Sequence, residues 1–589
     1  MLGLWMPSGI ADEIRGGFRK IAGRTKQPDR QELLESRNAM VAYRPIFNRS
    51  ADPKVAATTA CSLLSISSAD EGPPHWKRRI GLRPAAAFVS VTKTGKLALA
   101  RGKAGVEQMY FKNTEQGVVF CSDLRVLNRL GLEIDRRSCA AFLHYFYIPA
   151  PRTIYRDVRS LLPGELCLFD SSSSPRRTYF ADWFGDDGNS DFKGQLDEHT
   201  TSDFETAVKA ATANSIGQIS ARAALLLSGG KDSSGLAVAA NLSEIRDLET
   251  VTVSFPGYSH DEGEDAAVVA RSMGLRHRAY HFTADDYIDA FPDFLASVGQ
   301  PMGDPAAVPL YMLFRELEKH FNCIVDGTGN DAYFGLKAGP RGRKLWWMRQ
   351  HLPRVARLAG RIGDWSETAG RGRIGQFLID PQEQFISWRG FSKRQSENMC
   401  GTSVGWSEFP LYRLYDRCPN PDIHMTRTIT EIWEPEAAYR KVVQQSLNFD
   451  FDLCYPYLDP MLEKTVRAMS PASRFRGSKN KIALRAMLET NLPENIVEKP
   501  KGSFIYPKAD LLAKCQNTHL ANLLDNRWES DTLAIDSVAF RSIHDEYQEK
   551  GKVTEGQMYA LYMLVSWLER ERRNQDAIPA WLVDRDFDD

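Results

Sequence analysis

The chain has 589 residues, and 75 Lys+Arg balance 75 Asp+Glu, so its formal net charge is zero. That balance excludes a protein drawn onto nucleic acid by bulk charge, and 43% apolar with 25% charged residues excludes a disordered chain. No run approaches the roughly 18 apolar residues of a membrane span, and MLGLWMPSGIADEIRGG lacks a basic stretch leading into a long apolar core. The nine cysteines are scattered with no CxxC pair, which excludes a zinc ribbon or redox dithiol. They predict reduced thiols in a cytoplasmic protein, while the charge balance and the short apolar runs predict no nucleic acid and no membrane among its partners.

Residues 1 to 80 hold two helical pieces, ADEIRGGFRKIAG and RQELLESRNAM, separated from the rest of the chain by the turn-rich SISSADEGPP. From Ala85 the pattern changes to short β-branched and aromatic runs: AAAFVSV, KLALARG, QMYFKN, GVVFCSD and, after the helix-like CAAFLHYFY, GELCLFD. These predict a β-rich N-terminal domain over 1–190, with the polar, Gly/Asp-rich stretch 184–195 as its exit linker. A second rhythm occupies 200–515. Phe204, Val208 and Ala211 share a helical face, AALLL runs into SGG, and LAVAANL is a helix. TVTVSF, RAYHF and CIVDGTG are strands alternating with the helices EDAAVVARSMG and VPLYMLFRELEKHF. Apolar strands alternating with helices predict an α/β domain with a doubly wound parallel sheet. Residues 516–589 form a helical C-terminal extension whose MYALYMLVSWLERERRNQ is amphipathic and expected to pack on the body. RGRKLWWMRQHLPRVARLAGRIG, beyond Lys337, is helical and strongly basic.

The chemistry concentrates in LLLSGGKDSSG, residues 225–235. A buried strand runs into two glycines and a helix then opens on Asp and two serines. Gly229 and Gly230 let the backbone turn tightly against a ligand. Unpaired N–H groups at the helix start, with Lys231 and the hydroxyls of Ser228, Ser233 and Ser234, suit a pyrophosphate. Asp232 suits Mg2+, which takes one or two carboxylates plus phosphate oxygens. The loop is not a Walker A motif, because Lys231 is followed by Asp rather than Ser or Thr.

SGGKDSS resembles the SGGxDS loop of the ATP pyrophosphatases, and the chain over 84–510 resembles the asparagine synthetase family, which includes β-lactam synthetases and lasso peptide cyclases. The resemblance runs in order through LALARGKAGVEQMYF, YIPAPRTIYRDVRSLLPGE, TVSFPGYSHDEGEDAAVVARSMGLRH, PMGDPAAVPLYML, VDGTGNDAYFG, CYPYLDPMLEKTV and NKIALRAM…LPENIVEKPKGSF. It implies a class II glutamine amidotransferase-like (Ntn, α+β) N-terminal domain ahead of the synthetase domain. It implies ATP as co-substrate and a carboxylate activated as an acyl-adenylate, which an amine attacks to give amide and AMP. It also implies Mg2+ on Asp232 and Asp331, and adenosine flanked by the backbone at Leu227, Val253 and Gly327. Lys501 falls where the family keeps a lysine near the α-phosphate, and Asp232 shares the catalytic role; Lys499 is the nearby substitute.

The departures point to a subtype. Glutamine-dependent members begin Met-Cys, whereas residue 2 here is Leu and no NGEIYN-like segment is present, so the N-terminal domain is expected to be degenerate. Thr328 and Ala332 stand at acidic positions of asparagine synthetase, and Cys454 stands at a common arginine. These changes speak against aspartate as substrate. They favour a lactam- or macrolactam-forming ligase resembling lasso cyclases. Such an enzyme is expected to have a precursor peptide as substrate and a protease or leader-binding protein as partner. The alternatives are an asparagine synthetase and an ATP-binding pseudoenzyme in a biosynthetic complex.

Overall fold

The computed structural model describes residues 73–92, 96–114, 117–128, 132–170, 175–179, 198–216, 222–245, 247–257, 262–334, 339–364, 390–405, 408–409, 421–469, 474–476, 479–499, 534–549 and 553–573, together with the backbone of four short strands before residue 68. The stretch 184–195, Lys501 and the segment ADEIRGGFRKIAG lie outside the described residues.

The N-terminal part is two stacked sheets. One has six strands in the order β2-β3-β1-β8-β7-β9: β1 (Leu2–Trp5), β2 (Glu32–Glu35), β3 (Ala39–Tyr43), β7 (Tyr110–Asn113), β8 (Val118–Cys121) and β9 (Arg159–Ser160). The other has five in the order β11-β10-β6-β5-β4: β4 (Ser62–Ser67), β5 (Ala87–Thr92), β6 (Leu97–Arg101), β10 (Glu165–Phe169) and β11 (Arg176–Tyr179). Side chains alternate between faces along a strand. Val89, Val91, Leu97 and Leu99 therefore meet Phe111, Val118 and Phe120 between the sheets, while Phe88, Ala98 and Ala100 turn outward onto Trp76 and Ile80 of the Pro73–Leu82 helix. The outer face of the six-stranded sheet, through Tyr110, Val119 and Cys121, joins the core of the second domain.

Periodicity misled at RQELLESRNAM. Its ends are not one helix but β2 and β3, paired antiparallel from Glu32↔Tyr43 to Glu35↔Met40, with β3 paired in turn to β1. Helix propensity of a few Leu and Glu residues is a weak preference, and sheet partners distant in sequence override it.

The second domain carries a five-stranded parallel sheet in the order β14-β13-β12-β15-β16: β12 (Ala223–Leu226), β13 (Leu248–Ser254), β14 (Arg276–His281), β15 (Cys323–Val325) and β16 (Asp452–Cys454). The chain winds outward from β12 to β14, then returns to the opposite side of β12 for β15 and β16. The order therefore reverses between β12 and β15, and a crevice opens beyond their carboxyl ends. Alternating strands and helices and the apolar runs of β12 and β15, both expected from the sequence, produce this doubly wound sheet.

The Glu555–Arg573 helix docks into the body: Met558 through Leu568 are buried, Tyr562 stacks on Phe291 at 5.1 Å, and Glu571 accepts the Tyr155 hydroxyl at 2.9 Å. No helix among the described residues is long and apolar enough to cross a membrane.

Candidate active site

The SGG turn lies at the end of β12, and the Lys231–Leu242 helix starts immediately after it with Gly230 at its N-cap. Gly229 has φ +68°, and a Cβ there would lie 2.6 Å from the Asp265 Cβ, so both backbone shape and space demand glycine. The loop is cross-braced by its hydroxyls: the Ser228 N–H donates to Ser233 Oγ at 3.2 Å, Ser233 Oγ donates to the Gly230 carbonyl at 3.2 Å, and the Gly230 N–H donates to Ser228 Oγ at 3.3 Å. Ser234 is fully buried, and among the described residues its Oγ has no hydrogen-bond partner. Leu227 extends β12, donating its N–H to Val251 O at 2.9 Å. Val253 lies on β13, half-buried and in register with Tyr280 of β14.

The second Gly turn, residues 326–331, comes directly after β15 and meets the first. A Cβ at Gly327 would lie 3.1 Å from the Ser233 nitrogen, so glycine lets this turn lie against the helix start. Asn330 donates to Asp232 Oδ1 at 2.8 Å. Asp232 and Asp331 then converge on one group that sequence reasoning missed, the ammonium of Lys481. It lies 2.8 and 2.6 Å from the two Asp232 oxygens and 2.7 Å from Asp331 Oδ1. Lys481 has φ +57°, unusual for a non-glycine residue, and its side chain is only 5% exposed. Burial alone would lower its pKa, but the carboxylates of Asp232 and Asp331 outweigh burial and hold it well above the usual lysine value. Its segment NKIALRAM was part of the family resemblance. The only local signal for Lys481 itself is a cation at the opening of a helix, where its charge is disfavoured by the dipole.

This arrangement fits a divalent cation. Two carboxylates already share a cation in the crevice, the Lys481 ammonium. A pair of carboxylates completed by water and phosphate oxygens is the habit of Mg2+ rather than of zinc.

Around this centre, Lys231 reaches over to the Lys499 carbonyl at 2.7 Å, and burial followed by the Arg485 charge lowers its pKa. The Lys499 ammonium pairs with Asp265 at the far side of the SGG turn. Thr328 does not project as a free group: its N–H and hydroxyl both donate to Asp326 Oδ1, at 2.9 and 2.7 Å. Burial raises the Asp326 pKa against those two hydrogen bonds. Cys454 is buried, with its sulfur 3.5 Å from that of Cys323 on the neighbouring strand.

The N-terminal domain is tied to this site through buried charge. Arg101 donates to Glu436 at 2.7 Å and to the carbonyls of Leu161 and Gly105 at 2.8 and 2.6 Å. Glu436 also holds Arg440, whose other amino group reaches the Ile148 carbonyl at 2.8 Å. Glu436 lies on a π-helix, Ile429–Ala438, that packs on the short Asn330–Phe334 helix bearing Asp331. In the six-stranded sheet, Leu2 of β1 is in register with Cys121, whose thiol is fully buried; burial, then the Asp123 charge, push its pKa well up.

A doubly wound sheet whose two Gly turns bring a hydroxyl-braced anion loop against a carboxylate pair is the framework of a nucleotide-dependent ligase. The asparagine synthase profile matches residues 203–569 and the glutamine amidotransferase domain profile residues 82–180. The chain belongs to the asparagine synthase family, and it is an ATP-dependent, amide-forming carbon–nitrogen ligase acting on a carboxylate. It is 25% identical over 457 residues to a provisionally named glutamine-hydrolyzing asparagine synthetase of Mycobacterium tuberculosis, covering 74% of this chain and 69% of that one. It is 22% identical over 543 residues to asparagine synthetase (glutamine-hydrolyzing) 1 of Bacillus subtilis, covering 87% and 79%. A solved structure, the U34-tRNA thiolase NcsA of Methanococcus maripaludis, aligns at 18% identity over 27% of this chain and 54% of that chain, with a TM-score of 0.18 too low to bear on the fold.

Proposed function

We propose that the chain closes an amide between a carboxylate and an amine of the same substrate, releasing AMP and pyrophosphate, with a precursor peptide as the substrate. The observation that carries this reading is Thr328, whose hydroxyl is spent on Asp326 where asparagine synthetases present an acid. A threonine hydroxyl cannot serve as a carboxylate base at neutral pH. Cys121, opposite Leu2 on β1, is buried and its thiol is held protonated, so it cannot serve as a glutaminase nucleophile, which supports an amine that does not come from glutamine.

In this reading Ser228, Ser233 and the N–H groups at the start of the Lys231–Leu242 helix hold the β- and γ-phosphates. Asp232 and Asp331 would hold Mg2+, which when bound neutralises charge on the phosphates. Lys481 holds the two carboxylates together until the ion takes its place, and Lys501, or Lys499 in its place, supplies positive charge beside the α-phosphate. The Leu227 carbonyl, Val253 and Gly327 border the adenosine. Holding acid and amine in one molecule contributes much of the rate through proximity.

The test is incubation with ATP, Mg2+ and a linear precursor peptide. AMP and a product lighter by one water are expected, and ADP as the only nucleotide product would refute the mechanism. Parallel reactions with aspartate plus ammonia or glutamine decide the alternative, since asparagine formation would replace the cyclase by an asparagine synthetase.

A further inference from the structure

Two helices lie beyond the metal-site turn, Pro340–His351 and Pro353–Asp364, packed on one another with a corner at Leu352. From Pro340 to Gly363 the sequence has seven Arg and Lys residues and no Asp or Glu, within a chain of zero net charge. At helical spacing the second helix divides into three stripes. Ala356, Gly360 and Gly363 make a small-residue stripe by sequence, and Ala356 is 1% exposed. Val355, Leu358 and Ile362 make an apolar stripe, and Arg354, Arg357 and Arg361 a cationic one beside it.

The described residues of the apolar stripe are not covered. Val355 is 53% and Leu358 63% exposed, and the corner adds Trp347 at 54% and Leu352 at 45%. Four of the seven exposed large apolar side chains of the described residues thus lie between 347 and 358, a concentration that marks an interaction surface rather than scattered surface residues. The arginines beside it fix the sign of whatever binds: it must bring carboxylates along with apolar side chains. One intervening helix also links the hairpin to the catalytic crevice. The Pro421–Thr428 helix touches both the Asn330–Phe334 helix that bears Asp331 and the Pro340–His351 helix, to which Asp422 is joined through Arg343.

We propose that the 340–364 hairpin docks an acid-rich, amphipathic segment of the peptide substrate, with Val355 and Leu358 receiving its apolar side chains and Arg354 and Arg357 its carboxylates. This rests on the reading of the substrate as a peptide. It assigns the recognition of that peptide to a surface outside the ATP site. Nearness to the crevice favours a peptide over an anionic bilayer, whose chemistry is otherwise similar.

The experiment uses full-length protein without ATP and reads fluorescence anisotropy. The probe is a labelled peptide of about 18 residues with Leu on one helical face and Glu on the other. The expected result is saturable binding of this peptide, loss of binding when its Glu residues are replaced by Lys, and weakening at higher salt. R354E/R357E and V355S/L358S are each expected to weaken binding about tenfold or more while keeping the wild-type melting temperature. Equal binding of the acidic and basic peptides, unchanged affinity in both variants, or preferential partition onto phosphatidylglycerol vesicles would overturn the assignment. AMP formation with a precursor peptide is a separate readout. Its failure in the wild type removes the cyclase reading, whereas a flat isotherm with AMP formation intact removes the docking surface alone.

Discussion

Replacing Lys481 by Met tests whether Asp232 and Asp331 form a cation site. The ammonium is nearly buried and contacts both carboxylates, which are themselves 27% and 16% exposed. Breaking a buried ion pair by removing one partner costs about 3–5 kcal/mol, and the partial exposure of the acids places this case near about 3. For a domain of this size that is a fall of about 5 °C in melting temperature, read in EDTA. Magnesium should then reverse most of it, because a ligand at about a hundred times its Kd stabilises by about 2.7 kcal/mol. In the wild type the ion must displace Lys481, so magnesium should stabilise it less than the variant. Differential scanning calorimetry of both proteins in EDTA and in magnesium measures all four values. The reasoning fails if K481M melts with the wild type in EDTA, or if magnesium raises the two equally.

Asp232→Asn keeps the size of the side chain but removes a ligand charge, and should lower AMP formation by about a hundredfold or more, measured in single turnover. Asp326→Asn preserves an oxygen that can accept both Thr328 bonds. Because burial raises the Asp326 pKa, the native state holds that proton more tightly than the unfolded chain, and wild-type stability is lost as pH rises above the ordinary carboxylate range. The melting temperature of D326N should therefore gain on the wild type from acid to neutral pH, and a pH-independent difference would contradict the assigned cause. The six described cysteines are all buried, with Cys167 and Cys400 pushed up to about 12 by burial, so none of the six should react with a thiol reagent near pH 8 until the protein is unfolded. Gly229→Ala meets both a positive φ and the Asp265 side chain, and should abolish nucleotide protection against limited proteolysis even where the sheet still folds.

Local and periodic features are legible in the chain alone. The apolar runs AALL and CIV, bounded by glycine turns and alternating with amphipathic helices, can bury both faces only in a parallel sheet. The SGGKDSS turn announces an anion site because its glycines and hydroxyls lie within one loop. Where several conformations satisfy the same short pattern, local reading failed: the residues of β2 and β3 look helical until β1 and β8 supply the sheet to which they bond. It takes the packed molecule to show that Lys481, 249 residues from Asp232, closes the carboxylate pair, and that Thr328 is turned onto Asp326. The same is true of the Pro353–Asp364 helix, whose three stripes are visible in sequence but whose burial of Ala356 and exposure of Val355 and Leu358 are not. Contacts of that kind are fixed by the order in which strands and helices stack, and no residue's immediate neighbours in the chain encode that order.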